Sequence, residues 1–279
     1  MQFTKMHGAG NDYIFVNCFS ETVPDDLTAV ARAVSDRNCG VGADGLILIC
    51  PSDSADAKMR MFNADGSEAE MCGNGIRCVA KYLFERSIVT KNVMTIETGK
   101  GIQTLELFIE AEQVQSVRVN MGPPILEAEK IPTTLTGNPP INVLIDVAEK
   151  QLSVNCVSMG NPHCVLFSNE PLTDDLVQTL GPAIESHAAF PNRVNVGFAQ
   201  IISTTEINLR VWERGSGETQ ACGSGACAAA VCGILAVRLE RSVLCHLPGG
   251  DLEIQWDENS GDVYLSGPAV DVFSGVWTE

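Results

Sequence analysis

Positive charge is scarce in this sequence: 18 Lys and Arg stand against 35 Asp and Glu, a formal net charge of −17 over 279 residues. Such a field repels phosphate backbones and anionic lipid surfaces, so neither nucleic acid nor membrane is an expected partner. Long apolar runs are lacking too. The longest conspicuous one, Ala226 to Val237, falls well short of the roughly 20 residues a membrane-spanning helix needs and reads as a buried helix. The start, Met1-Gln-Phe-Thr-Lys-Met-His-Gly, has neither the basic segment nor the apolar stretch of a secretory leader, and the expectation is a cytoplasmic protein. Zinc-type cysteine spacing is also missing. Cys72/Cys78 and Cys222/Cys227 form C-x5-C and C-x4-C, not sets of C-x2-4-C, so no metal is expected.

What is present is a globular composition, 45% hydrophobic and 19% charged, at a length that favours two domains over one. The eleven cysteines, an odd number, read as reduced thiols, most of them core filling. Short apolar or alternating runs at 46–49, 60–62, 104–109, 117–119, 143–145, 164–167, 207–212 and 252–256 predict strands. Helical spacing predicts helices over 26–37 and 75–86, with a third starting near Gly225. Strands outnumber helices without strict alternation, which points to an α+β fold. A Pro-rich, turn-rich stretch from Gly122 to Pro140 places a domain boundary near residue 120. The expected domains are 1–120, joined by 266–279, and 121–265.

An internal echo supports two related halves. Asp65-Gly-Ser-Glu-Ala-Glu-Met-Cys-Gly-Asn-Gly resembles Gly215-Ser-Gly-Glu-Thr-Gln-Ala-Cys-Gly-Ser-Gly, one copy per half. In each copy a cysteine, Cys72 or Cys222, sits in a Gly-rich turn ahead of a helical run. Free N–H groups and the helix dipole there favour negative charge, either a thiolate or a bound carboxylate. Two such turns acting on one amino-acid α-carbon offer a base on one face and an acid on the other, which inverts the centre. Cys78 and Cys227, one turn into their helices, read as core residues. His163 alone reads as a satisfied structural side chain, and single Asn residues as turn formers.

Asn11-Asp12, Phe62-Asn-Ala-Asp-Gly-Ser, Cys72-Gly-Asn-Gly, Ser158-Met-Gly-Asn-Pro-His, Glu213-Arg214 and Ala221-Cys-Gly-Ser-Gly together resemble the diaminopimelate epimerases, over nearly the whole chain. The resemblance implies two pseudo-symmetric domains, each a mixed or antiparallel sheet wrapped around a central helix, with the active site in the cleft between them. It further implies interconversion of LL- and meso-2,6-diaminoheptanedioate on the route to lysine, with no cofactor and no metal, by a homodimer. Cys72 and Cys222 would be the acid–base pair, and His163 and Glu213 would tune their thiols. Asn11, Asn63, Gly73, Asn74, Asn161, Asn195, Glu213, Arg214, Gly223 and Ser224 would bind substrate. Carboxamides and Arg214 suit a second amino-acid head, since they can meet both its ammonium and its carboxylate. Two positions depart from some relatives. Gly45 stands where some have a substrate-touching Gln, and Phe273 where some have a Tyr tied to dimerisation; loss of that hydroxyl removes about 1 kcal/mol. The rival readings are a racemase or epimerase of another amino acid on the same fold, and a thiol redox or metal-binding protein.

Overall fold

The computed structural model describes residues 1–278. The chain forms two compact units, one running from Met1 to Val119 and including the segment from Ser266 on, the other Asn120–Leu265.

The first unit opens with β1 (Gln2–Gly8) and β2 (Asn11–Asn17), antiparallel and joined through Ala9 and Gly10, both at positive φ. Next comes α1 (Leu27–Ser35), started by the Asp26 side chain accepting from Ala29 N–H and buried along Val30, Ala31 and Val34. The strands β3 (Gly45–Cys50) and β4 (Ala57–Asn63) follow, and the short β5 (Glu68–Ala69) folds back on β4. Then come α2 (Gly73–Glu85), β6 (Val93–Thr98), β7 (Gly101–Glu110) and β8 (Gln113–Asn120). Pairing is mixed: β2–β3 and β4–β6 are parallel, β3–β4, β6–β7 and β7–β8 antiparallel. The α2 helix buries Ile76, Cys78, Val79, Ala80 and Leu83 and packs on β1, β2 and β7.

The second unit repeats this order. After β9 (Val143–Val147) come β10 (Lys150–Ser158) and β11 (Pro162–Ser168), then α3 (Asp174–Glu185), β12 (Asn195–Ser203) and β13 (Glu206–Glu213). The short β14 (Gly217–Thr219) folds back on β13 and leads to α4 (Gly223–Leu235), β15 (Ser242–Leu247) and β16 (Gly250–Trp256). Pairings match those of the first unit: β10–β11 antiparallel, β11–β12 parallel, β12–β13 antiparallel, β13–β15 parallel, β15–β16 antiparallel. Finally β17 (Val263–Gly267) leads to β18 (Val270–Val276), which pairs antiparallel with β1. Every residue of α4 from Gly225 to Gly233 is buried, and the helix packs on β10, β11, β12, β13 and β16. A helix apolar all round must be enclosed on all sides, and here strands enclose it.

The α+β class expected from the strand-rich pattern holds, as do the two related halves, each with a central helix. Three local expectations change. The helix expected over 26–37 spans Leu27–Ser35, between its caps Asp26 and Asp36, and the one expected from Gly75 starts at Gly73. The α3 helix was not foreseen. Gly181 and Pro182 interrupt its apolar spacing, yet Thr173 caps it, Asp174 and Asp175 complement its dipole, and Val177, Leu180 and Ile184 are buried. The Pro-rich stretch packs onto the second unit: Ile131 is fully buried in that unit's core and Ile125 bridges to Ser158.

Candidate active site

In the first unit the β4–β5 hairpin delivers the chain to Cys72, the N-cap of α2. Its backbone is extended (φ −136°, ψ 117°), and its Sγ accepts from the Gly75 N–H at 3.3 Å, a role Ser or Asp usually fills. Three further groups meet the thiol. Its S–H donates to Asn11 Oδ1 at 3.4 Å, the Tyr13 hydroxyl hydrogen-bonds it, and the Arg77 charge lies nearby. Asn11 is itself held, donating through Nδ2 to Asp44 at 2.7 Å and accepting from Asn74 Nδ2 at 3.2 Å. Arg37 pairs with Asp44 at 2.9 Å and with Asp12 at 2.7 Å, so an ion-pair cluster fixes the start of β2 beneath the thiol. Fully buried, Arg77 donates to Gly73 O, Asn74 Oδ1 and Pro268 O, fastening the Cys-Gly-Asn turn. Gly8 lets β1 approach this turn: a Cβ there would fall 2.9 Å from Asn74 O.

In the second unit the β13–β14 hairpin delivers the chain to Cys222, the N-cap of α4, again extended (φ −121°, ψ 106°). Its Sγ lies 3.6 Å from Ser224 Oγ. His163 Nε2 sits 3.1 Å from both Ser224 Oγ and Asn161 Oδ1, and Asn161 Nδ2 donates to Ser224 Oγ at 3.2 Å. Assigning protons by this network puts a hydrogen on Nε2 and leaves the Ser224 hydroxyl hydrogen directed at Cys222. Burial, reinforced by the Arg214 charge, lowers His163 to about 3, so it is a neutral donor throughout the physiological range. Asn195 is anchored to backbone: its Nδ2 donates to Pro162 O and its Oδ1 accepts from Arg214 N–H, which leaves one donor and one acceptor position of the amide. Thr219 donates to Glu213 Oε1 at 2.6 Å, setting that carboxylate beside the Cys222 thiol.

The two thiols differ electrostatically. Burial raises the Cys72 pKa, opposed by the Gly75 N–H, the Tyr13 hydroxyl, the Asn74 N–H and the Arg77 charge. Burial also raises Cys222, and well above its ordinary value, with the Glu213 charge adding to it and only Ser224 and the Gly225 N–H opposing. Cys72 is therefore the easier thiolate and Cys222 the more firmly held thiol.

Of the residues nominated from sequence, the first unit gathers Asn11, Cys72, Gly73 and Asn74, while Asn63 turns to Ser67 at the hairpin end. The second gathers Asn161, His163, Cys222, Gly223 and Ser224, with Glu213 alongside; Arg214 is exposed, its guanidinium on Asn192 O. His163 reaches Cys222 through Ser224. Cys78 and Cys227 are core residues, 1% and 0% exposed. Sequence reading missed Tyr13, Asp44 and Arg77. Arg77 carried a signal, an arginine on the apolar face of a helix; Tyr13 and Asp44 carried none, because only tertiary packing brings Tyr13 to Cys72 and Asp44 to Asn11. Gly45 also changes meaning. A Cβ there would lie 2.1 Å from Phe62 O, so the β3–β4 pairing leaves this backbone no room for any side chain. Among the described residues no three His, Cys, Asp or Glu side chains gather as a metal site, and all eleven cysteines are free thiols.

The family profile for diaminopimelate epimerase matches residues 3–127 and 155–272. The chain belongs to the diaminopimelate epimerase family. It is 51% identical over 275 residues to the diaminopimelate epimerase of Moorella thermoacetica, covering 99% of this chain and 98% of that one. It is 53% identical over 279 residues to that of Pelotomaculum thermopropionicum, covering 99% and 98%. Among solved structures, a probable proline racemase from Agrobacterium radiobacter superposes with a TM-score of 0.71 at 17% identity, over 99% of this chain and 92% of that one. A hydroxyproline epimerase from Agrobacterium vitis gives 0.69 at 16%, over 99% and 90%. At those identities the likeness is one of fold, and the diaminopimelate epimerase family shares that fold. No helix among the described residues is long and apolar enough to cross a membrane.

Proposed function

We propose that this chain epimerises LL-2,6-diaminoheptanedioate to the meso form, in lysine biosynthesis, through a two-base transfer between Cys72 and Cys222. A thiolate on one cysteine takes the α-proton, the thiol of the other delivers its proton to the opposite face, and the protonation states of the pair are exchanged at the end. The roles swap in reverse. The observation that carries this reading is the duplicated arrangement itself: in each unit a mixed-sheet hairpin ends in a cysteine that caps a central helix. The family's activity supports it. Burial raises both thiols, and Cys72 is the easier of the two to ionise, since Glu213 further opposes ionisation at Cys222.

The α-proton of an amino acid is weakly acidic, so the carbanion has to be stabilised by donors at its carboxylate. Helix-start N–H groups around Gly73-Asn74 and Gly223-Ser224 are suited to that, and no cofactor is invoked. We assign Asn11, Asn63, Asn161, Asn195, Glu213 and Arg214 to holding the rest of the substrate. His163 would act on Cys222 through Ser224. Free thiols fit a reducing, cytoplasmic setting. We further assign a homodimer to the β18 face, where Val270, Val272, Phe273 and Val276 are 40–66% exposed and Phe273 stands edge-on to Phe3.

The test is solvent deuterium incorporation at the α-carbon of LL-diaminopimelate, followed by proton NMR under reducing conditions. Wild type should exchange with inversion, and Cys72→Ala and Cys222→Ala should each lose inversion. Inversion surviving in either variant would refute the two-base reading, and exchange with proline or histidine but not diaminopimelate would refute the substrate.

A further inference from the structure

Two pairs of cysteines stand on neighbouring strands or just past a strand end. Cys156 and Cys164 face each other across β10–β11, but both are sealed in the core at 0% exposure. The other pair is accessible. The parallel pairing of β2 with β3 sets Asn17 beside Ile49, and the next step brings Cys18 beside Cys50, with Cys18 N–H donating to Ile49 O at 2.9 Å. Both side chains lie on the face that covers α1's core and both are partly buried, and the Cys18 thiol, which donates to Val16 O at 3.9 Å, interacts with that of Cys50. Neighbouring strands run about 4.8 Å apart, within the Cα separation a disulfide spans, about 4.4–6.8 Å.

Two cations stand near the pair, each also ion-paired at 2.8 Å, Lys58 with Glu97 and Arg60 with Glu68. Lys58 is the register partner of Cys50 on β4, and Arg60 stands one row back on the same face, opposite Leu48. The contact with Cys18 lowers the Cys50 thiol to about 7 against its burial, with the Arg60 and Lys58 charges assisting, while the same contact pushes Cys18 up. A partly exposed thiol whose ionisation is eased, with a second thiol beside it, is the arrangement in which one sulfur reacts and the other resolves. The pair lies about 20 Å along β2 and β3 from Asn11 and Asp44, at the opposite strand ends.

We infer that Cys18 and Cys50 form a peroxide-oxidisable dithiol, a reversible modification site separate from the helix-capping cysteines. The Cys50 thiolate attacks hydrogen peroxide, breaking its O–O bond to give Cys50 sulfenic acid and hydroxide, which takes up the proton Cys50 released and leaves as water. Cys18 sulfur then attacks the sulfenic sulfur, forming the S–S bond. The sulfenic hydroxyl leaves with the Cys18 proton as a second water, so two thiols are oxidised and one peroxide is reduced. A low-molecular-weight thiol reverses the bond by exchange.

The experiment treats the reduced full-length protein with near-stoichiometric hydrogen peroxide at neutral pH, blocks remaining thiols by alkylation and maps the peptides by mass spectrometry. The expected product is a Cys18–Cys50 linked peptide. In Cys18→Ser, with no resolving thiol beside it, a dimedone adduct should collect at Cys50 instead of the linked peptide. In Cys50→Ser the Cys18 adduct should be slow, and both variants should keep wild-type turnover before oxidation. Cys18 and Cys50 remaining alkylatable while Cys39 is oxidised would overturn the inference, as would equally fast adducts at Cys18 in Cys50→Ser. Mapping on the wild type decides the matter even if a serine variant fails to fold, and does not depend on the proposed epimerase chemistry.

Discussion

Replacing Gly181 by alanine in the middle of α3 should destabilise this protein, although the same change in an ordinary helix stabilises it by about 1 kcal/mol. A Cβ on Gly181 would stand 2.7 Å from Cγ and Cδ2 of Trp212. Carbon contacts settle near 3.5–4.0 Å, so the indole would have to retreat by about 1 Å, at a cost of about 1–3 kcal/mol. It is not free to do so. Trp212 Nε1 donates to Glu185 Oε2 at 2.7 Å, and Glu185 Oε1 accepts from Gly215 N–H at 2.9 Å, just past Glu213 and Arg214. Stretching a hydrogen bond to a carboxylate adds up to about 1.5–3 kcal/mol. The following Pro182 also trims the helix gain. The net expectation is a loss of about 2–3 kcal/mol, read as a lower urea midpoint. Trp212→Leu supplies the control: in that background Gly181→Ala should become neutral or slightly stabilising, a coupling of at least about 2 kcal/mol in a double-mutant cycle. A single Gly181→Ala variant more stable than wild type, or a coupling near zero, would sink the argument.

Gly45→Ala should cost at least about 2 kcal/mol in chemical denaturation, because the clash at 2.1 Å is with the Phe62 backbone and not a movable side chain; wild-type stability would show that β3 yields there. Arg77→Met should cost about 3 kcal/mol in the same assay, since Gly73 O, Asn74 Oδ1 and Pro268 O each lose a donor. His246 bridges Glu206 at 2.8 Å and Asp251 at 2.7 Å, and those hydrogen bonds raise its folded pKa above the unfolded value. Its contribution is therefore full below an unfolded pKa of about 6.5 and fades as pH rises through the folded value. With the ring partly exposed, wild type should exceed His246→Gln by only about 0.5 kcal/mol at pH 5.5, converging at high pH; a gap that widens with pH would refute the sign.

The repeat was more informative than local spacing. Cys72 and Cys222 stand out because each precedes Gly-x-Gly and an apolar helical run, so their cap positions are legible from sequence. The echo covers only the two cysteine turns, so α3, which takes the place in the second unit that α1 holds between β2 and β3, was not legible from it, and Gly181 and Pro182 hide its period. The contacts that anchor the Asn195 amide, to Pro162 O and Arg214 N–H, come from the β11–β12–β13 pairing, which no linear pattern reveals.

Composition, the duplicated Cys-Gly-x-Gly turns and the apolar run of α4 are local properties, and by themselves they determined the class of fold, the two central helices and the cysteines that cap them. Partnerships across the chain had to await the tertiary structure. Tyr13 and Asp44 reach Cys72 and Asn11 only through tertiary packing, Gly45 is closed to side chains only because Phe62 O lies opposite, and Cys18 meets Cys50 only because β2 runs parallel to β3. The physical reason is range: caps, turns and periodicity act within a few residues, whereas a thiol's pKa and a glycine's free space depend on neighbours that strand register brings together from distant parts of the chain.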